Sequence, residues 1–395
     1  MKLLIAAAAA ALAIPAAAQA ADDQGKIILE ARLRAEFVDQ DPFAESAQAV
    51  TLRTRFGYET AGWRGFKLLV EGENVIALTD SYNSTLNGQT TYPTVPDPEV
   101  TDLNRAQISW TSPRFDVVAG RQRIILGAAR YVGNVGFRQN EQTFDAIKLV
   151  VRPAPNATVT YAYVDNVRRV FGPDSPQGLY KSDSHLFQAD VRSSWGQVSA
   201  FAFLLDFANA PAQSSATWGL RITGARPLGV AGLSLTFEGE YSRQTAFANN
   251  PADFTVDYVA AGLGLKRGPT SVSLGYERLG SDGVNAFQTP LATLHAYQGW
   301  ADAFLTTPAG GVREFNIKAA TSFDLGPCLR GVRLSAAAFD FASADGAVDF
   351  GQEVNLSITA PVTRRLTADL SAAALNGEGP VADRTKVWLT LEFKY

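Results

Sequence analysis

The feature that most constrains this chain is an apolar–polar alternation of period two that recurs along its length. Successive side chains of an extended strand point to opposite faces, so the pattern demands strands whose two faces meet different surroundings. In KVWLTLEFKY, Val387, Leu389, Leu391, Phe393 and Tyr395 share one face, and Lys386, Trp388, Thr390, Glu392 and Lys394 share the other. KIILEARLRAEF sets Leu29, Leu33 and Phe37 against Glu30, Arg32, Arg34 and Glu36. AVTLRTRFGYET sets Val50, Leu52, Phe56 and Tyr58 against Arg53, Arg55 and Glu59, and GLSLTFEGEYS and FGQEVNLSITA repeat the arrangement. Helical spacing competes over no comparable length.

The connections decide what kind of sheet this is. Short turns at 61–65, 112–114, 152–156, 194–196, 267–270 and 361–365 alternate with longer polar stretches. Those stretches run over roughly 79–101, 125–142, 165–183, 207–214, 244–253, 280–313 and 376–384. Soluble sandwiches lack such a two-ended alternation, whereas transmembrane barrels have short periplasmic turns and long extracellular loops. The count predicts an all-β fold: a single antiparallel up-and-down transmembrane barrel of about eighteen strands, with both termini periplasmic. No linker divides residues 21–395, which read as one domain. An open sheet edge in hydrocarbon leaves amides and carbonyls unpaired, so the last strand should close on the first. Tyr395 then lies in the inner interfacial belt and supplies the C-terminal aromatic that the barrel assembly machinery reads. Slipping TLRTRF by one residue would turn Arg53 and Arg55 to lipid, at about 2–4 kcal/mol each near the midplane.

The N-terminal MKLLIAAAAAALAIPAAAQA combines basic Lys2, the apolar stretch from Leu3 to Ile14 and the small-residue site Ala18-Gln19-Ala20. That is the pattern of a secretory signal over residues 1–20. The expected location is the outer membrane of a Gram-negative cell, with outer-membrane lipid and lipopolysaccharide around the wall. No Cys follows the signal to carry a lipid anchor, and no later apolar run is long enough for a membrane-spanning helix. The single Cys328 cannot form an internal disulfide. With 19% charged residues and a formal net charge of -4, neither a nucleic-acid surface nor an acidic tail is indicated.

Alternation also nominates the residues that line the lumen. The inward faces carry Arg32, Arg34, Arg53, Arg55, Lys67, Arg105, Lys148, Arg192, Arg221 and Lys318. They also carry Glu30, Glu36, Glu59, Glu71, Glu73, Asp190, Glu238, Glu240 and Glu353. Arg121 and Arg123 share parity with Val117 and Ala119, so a bulge near Gly120 is needed to turn them inward. Asp145 shares parity with Ile147 and Leu149 and is placed at the extracellular rim. Basic residues concentrate on the first strands, while Glu238, Glu240 and Glu353 lie far along the chain. A transverse field across the lumen is therefore expected, basic on one wall and acidic on the other, within a Debye length of about 8 Å.

Two stretches carry a resemblance. Gly120-Arg121-Gln122 with Thr143-Phe144-Asp145-Ala146, and Leu294-His295-Ala296-Tyr297 with Gly299-Trp300-Ala301-Asp302, resemble the alginate-export family of outer-membrane porin-like proteins. The resemblance implies a barrel of eighteen strands and passage of an anionic polysaccharide. The near balance of inward acids and bases suits a general channel for small hydrophilic or anionic solutes, such as sugar acids or uronate oligomers, at least as well.

The stretch 280–313 is too apolar for a solvated tip: it contains Phe287, Leu291, Leu294, Tyr297, Trp300, Phe304 and Leu305. Left in water that surface would forfeit several kcal/mol of burial. The loop is expected to fold inward and narrow the pore, with His295, Tyr297, Trp300 and Asp302 at the constriction. An enzyme is not expected. His185 and His295 have no zinc-type partners, Ser184 and His185 point to opposite faces, and no phosphate-binding loop follows any Gly-rich turn. No metal or cofactor is called for. The alternative to a channel is a receptor or adhesin barrel whose lumen is plugged by apolar side chains.

Overall fold

The computed structural model describes residues 24–230, 232–327 and 329–395. The signal segment 1–20 and Cys328 lie outside the described residues. The first nine strands are β1 (Lys26–Gln40), β2 (Ala47–Glu59), β3 (Phe66–Ala77), β4 (Val100–Thr111), β5 (Phe115–Gln122), β6 (Thr143–Ala154), β7 (Ala157–Arg168), β8 (Leu179–Ser193) and β9 (Gly196–Leu205). The second nine are β10 (Ser215–Pro227), β11 (Leu233–Ala246), β12 (Thr255–Arg267), β13 (Thr270–Leu279), β14 (Val312–Leu325), β15 (Leu329–Ala342), β16 (Asp349–Pro361), β17 (Leu366–Gly377) and β18 (Arg384–Lys394). Each pairs antiparallel with its sequence neighbours, and β1 also pairs with β18 from Glu30↔Lys394 to Gln40↔Arg384. The eighteen-stranded sheet is thereby closed, with no edge left to satisfy.

Register follows the alternation. Arg53 and Arg55 are 1% and 5% exposed on the inner face, while Phe56 beside them is 70% exposed on the outer one. Leu220, Leu263, Leu274 and Leu389 are exposed on the same outer surface. At the short-turn end, Trp63, Phe66, Phe115, Trp195 and Phe323 form an exposed aromatic belt. The Arg226 guanidinium lies 4.2 Å over the Trp195 ring, and Arg365 lies 4.2 Å over Tyr395. Tyr395 itself donates its backbone N–H to Leu29 at 2.9 Å, so the final residue is tied into the first strand.

The lumen is not an empty tube. Residues 123–142 and 280–311 both fold into it and pair with each other through a parallel bridge between Val132 and Leu291. Gly133 N–H donates to Leu291 O at 2.8 Å and Thr293 N–H to Ala129 O at 3.0 Å. Phe287 and Leu291 are fully buried, and Phe304 is nearly so. They join wall residues Phe144, Phe203, Phe341 and Trp388 in an apolar cluster inside the ring. Val284 and Leu305 stay exposed, so the inward folding applies to the body of the loop. A third segment, 78–99, packs Tyr82 and Val95 on Val38, Ala47 and Ala49.

Candidate functional site

β1, β2 and β4 stack Arg32, Arg53, Arg55 and Arg105 on the inner face, and Arg123 joins them where the chain leaves β5. Each is matched by a carboxylate. Arg32 meets Glu392 at 2.7 Å, and Arg53 meets Glu392 at 3.2 Å and Glu30 at 3.4 Å. Arg55 bonds Glu73 and lies 3.4 Å from Glu141. Arg105 meets Glu71 at 2.6 Å, and Arg123 meets Glu141 at 2.5 Å and Glu71 at 3.5 Å. Burial pushes the Glu141 carboxyl up, but Arg55, Arg123 and Asn104 together pull it down to about 2. Five arginines thus face five carboxylates on one wall. This corrects the expected transverse field, because the first wall is a neutralised network rather than a basic surface. The acids that neutralise it include Glu141, from the inward loop, and Glu392, from the closing strand.

The remaining nominated residues fall in different places. Lys67 pairs with Glu59 at 3.0 Å near the short-turn end of the inner face. Lys148 also faces inward, opposite Val118 and Ala162. Arg221 meets Glu238 at 2.8 Å and Glu240 at 3.3 Å on the far wall. Arg192 lies near the β8–β9 turn. Arg34 is buried 3.9 Å from Asp97, with its guanidinium 4.2 Å over Phe137. Arg121 does not line the lumen. It sits opposite Ala106 and Asp145 on the outer face and bonds Asp145 at 2.8 Å. The expected bulge at Gly120 does not turn it. β5 ends at Gln122, so β4 has no β5 partner beyond Ala106, and the Arg121 Nη1 instead donates to the Leu103 carbonyl at 2.8 Å.

Two loops meet at Asp302. Its Oδ2 lies 2.8 Å from Lys386 Nζ of β18 and 3.1 Å from Arg138 Nη2, and its Oδ1 lies 2.8 Å from His295 Nδ1. Arg138 also reaches Glu36 at 3.0 Å and Asp97 at 3.8 Å, which joins three loops and two strands in one ionic hub. Burial drives the Asp302 carboxyl up, but Lys386, His295 and Arg138 hold it well below the usual carboxylate range. Burial lowers His295, and Asp302 offsets this only in part. The imidazole stacks on Phe137 with 3.5 Å between centroids. Tyr297 OH donates to the Ala128 carbonyl at 2.5 Å and lies under Arg130 at 4.6 Å. The backbone N–H groups of Trp300 and Ala301 donate to Glu353 Oε1 at 2.5 and 3.0 Å.

Arg130, Arg138, Glu141 and Glu277 escaped the sequence reading, and the alternation places Lys386 on the polar face of its strand without a role. A signal for the loop was present: Gln139-Asn140-Glu141-Gln142 is a polar run with no aliphatic spacer, and all four are buried. Such a run suits a segment whose amides bond a polar wall; Gln139 reaches Thr51 Oγ1 at 2.8 Å and Gln142 reaches Leu291 O at 3.0 Å. Trp388 on an inward face, 1% exposed, was the matching signal from the wall. Ser184 and His185 occupy opposite faces, with Ser184 inside and His185 bonded outside to Tyr161 OH at 2.9 Å.

Two lumen cavities open between loops and wall. One of about 450 Å³ is lined by Arg32, Arg34, Phe137, His295, Trp300, Trp388 and Glu392. The other, about 400 Å³, is lined by Arg130, Arg221, Glu238, Glu240, Tyr297 and Glu314. The arrangement offers polar and aromatic groups for recognition. Among the described residues, no group of three His, Cys, Asp or Glu is placed to hold a metal ion.

No family model and no curated protein sequence matches the chain. Its fold matches solved structures. Pseudomonas aeruginosa OpdL shares 15% identity and superposes with a TM-score of 0.73 over 94% of this chain and 98% of that one. Acinetobacter baumannii OccAB4 shares 10% identity, with a TM-score of 0.71 over 95% of this chain and 100% of its own. Pseudomonas aeruginosa OpdK, solved with vanillate, shares 12% identity, with a TM-score of 0.70 over 94% and 98%. The last of these is an outer membrane protein. At such identities the likeness establishes the fold.

Proposed function

We propose that this chain is a passive channel in the outer membrane for small hydrophilic solutes, among them small organic acids. The observation that carries the reading is the closed ring whose inward loops leave cavities of about 400 and 450 Å³ lined by charged and aromatic side chains. Arg32, Arg34 and the rings of Phe137, Trp300 and Trp388 face one cavity whose charge Glu392 and Asp369 balance, a lining that suits a small polar ring, and OpdK, of similar fold, was solved with vanillate. The resemblance to the alginate-export family keeps uronates among the candidate solutes. Loops tied across the lumen by Asp302 and Glu353 favour monomers and short oligomers over polymer. The role requires no catalysis and no cofactor, and export through a signal peptide and insertion by the barrel assembly machinery complete the reading.

The apolar cluster inside the ring favours a second reading, a receptor or adhesin barrel closed at rest. Reconstitution into planar bilayers separates the two. A channel gives stepwise conductance, and liposome swelling with neutral sugars, small aromatic and aliphatic acids, and uronate oligomers ranks its solutes. A barrel that inserts and never conducts overturns the channel reading.

A further inference from the structure

The far wall carries an acidic row that the ion pairs leave incomplete. Cross-strand register places Arg221 beside Glu240, Glu240 beside Ala260, Ala260 beside Glu277, and Glu277 beside Glu314. These residues therefore lie at one level of β10 to β14. Like charges directly opposite one another across a strand pair are unfavourable unless something compensates them. Glu277 is compensated: Arg130 lies 2.5 Å away, Tyr258 OH donates at 2.7 Å and Gln298 at 2.6 Å. Arg221 serves both Glu238 and Glu240.

Glu314 has no partner so close: Lys318, on the same strand and lining the same cavity, attracts it without making a salt bridge. It is 2% exposed, its Oε1 accepts from Asn316 at 2.8 Å, and its Oε2 is buried with no hydrogen-bond donor. Among the described residues no base lies within salt-bridge distance of it. The Oε1 of Glu240 is also buried, beside the Tyr131 hydroxyl, and Arg221 pairs with the same carboxylate. Both carboxylates line the 400 Å³ cavity. Ala260 between Glu240 and Glu277 leaves a gap in the row, because adjacent strands lie ~4.8 Å apart and its side chain is a single methyl. A buried carboxylate without a donor is costly, and a cation that supplies several N–H donors removes the cost.

We propose that this cavity is a subsite for a primary ammonium group of a permeating solute, held at Glu314, with Glu240, three strands along the row, placed to take the second ammonium of a diamine. An ammonium is chosen over a guanidinium because it is compact and its three donors rotate freely, which suits a single confined carboxylate oxygen. Tyr258 and Tyr297 line the same cavity, with Arg130 over both rings. The subsite deepens the channel reading, since a solute reaches it through the lumen.

The probe is putrescine, a short diamine, against butanediol, its uncharged counterpart. Calorimetry on the full barrel in detergent micelles reads binding without requiring conduction. Putrescine should bind and butanediol should not. Glu314→Gln keeps the Asn316 bond and removes no ion pair, so the fold is retained, and it should weaken putrescine by about tenfold or more. Glu240→Gln should act in the same direction. Equal affinity in wild type and Glu314→Gln, or equal binding of diol and diamine, overturns the subsite. Putrescine binding with this dependence in a barrel that never conducts upholds the subsite and removes the channel reading. Conduction with no putrescine binding does the reverse.

Discussion

Replacing Asp302 by Asn should release the inward loop in part. The carboxylate is 3% exposed and contacts three potential cations, Lys386, Arg138 and His295. Arg138 keeps Glu36 and Asp97 when the charge at 302 is removed, but Lys386 has no other carboxylate within salt-bridge distance among the described residues. Stranding one buried charge costs about 3–5 kcal/mol, which changes the ratio of docked to released loop by roughly two to three and a half powers of ten. Other anchors oppose full release: Glu353 holds the amides of Trp300 and Ala301, and Arg384 Nη1 donates to the carbonyls of Ala301 and Asp302 at 2.7 and 2.9 Å. The expected result in planar bilayers is therefore a noisier channel with raised mean conductance, short of the rise expected if residues 288–307 of the inward loop were deleted. The double variant Asp302→Asn with Lys386→Met should recover much of the quiet state, because removing both members of a buried pair is far less costly than removing one. Wild-type amplitude and noise in Asp302→Asn, or a double variant as perturbed as the single one, would refute the hub as the element that holds the loop.

Three further outcomes follow from the same contacts. His295 is held below its ordinary pKa of 6.5 by burial, so the released loop binds more protons than the docked one in mild acid. Docking should weaken as pH falls through about 6.5 and be complete above it; noise should rise between neutral pH and mild acid, and His295→Gln should flatten that dependence. Glu141→Gln takes a charge from between Arg55 and Arg123, at about 3–5 kcal/mol, and should lower the melting temperature of the folded band in semi-native electrophoresis. Because the Glu141 carboxyl is held down to about 2, that contribution is present above the unfolded value near 4.3 and is lost only as pH falls towards 2, so the deficit of the variant should shrink in strong acid. Gly299 has φ +78, and a methyl there would collide with the Glu353 carboxylate, so Gly299→Ala should reproduce the noise of Glu353→Ala, whereas Glu353→Gln, which keeps an acceptor, should stay quieter.

The wall was legible because two solvents press on it. Lipid outside and polar contacts inside force each strand to sort its side chains by parity, so Arg53 and Phe56 betray their faces three residues apart. The same rule already hinted that Arg121 faces out, and the short β5 explains why a charged residue is stable there: its guanidinium caps the Leu103 carbonyl left unpaired in the wall and meets Asp145. What parity does not carry is the identity of whatever stands opposite across the lumen. Glu141, Arg138 and Asp302 come from loops with no period, and each finds its partner on a strand remote in sequence or on the other loop. The expected basic wall fails for this reason, since its arginines are neutralised partly by residues that no strand pattern points to. The fold is thus a barrel wrapped around a second, smaller interior. In the proposed channel, selectivity follows where that interior leaves charge unmatched, and along the row β10 to β14 that group is Glu314.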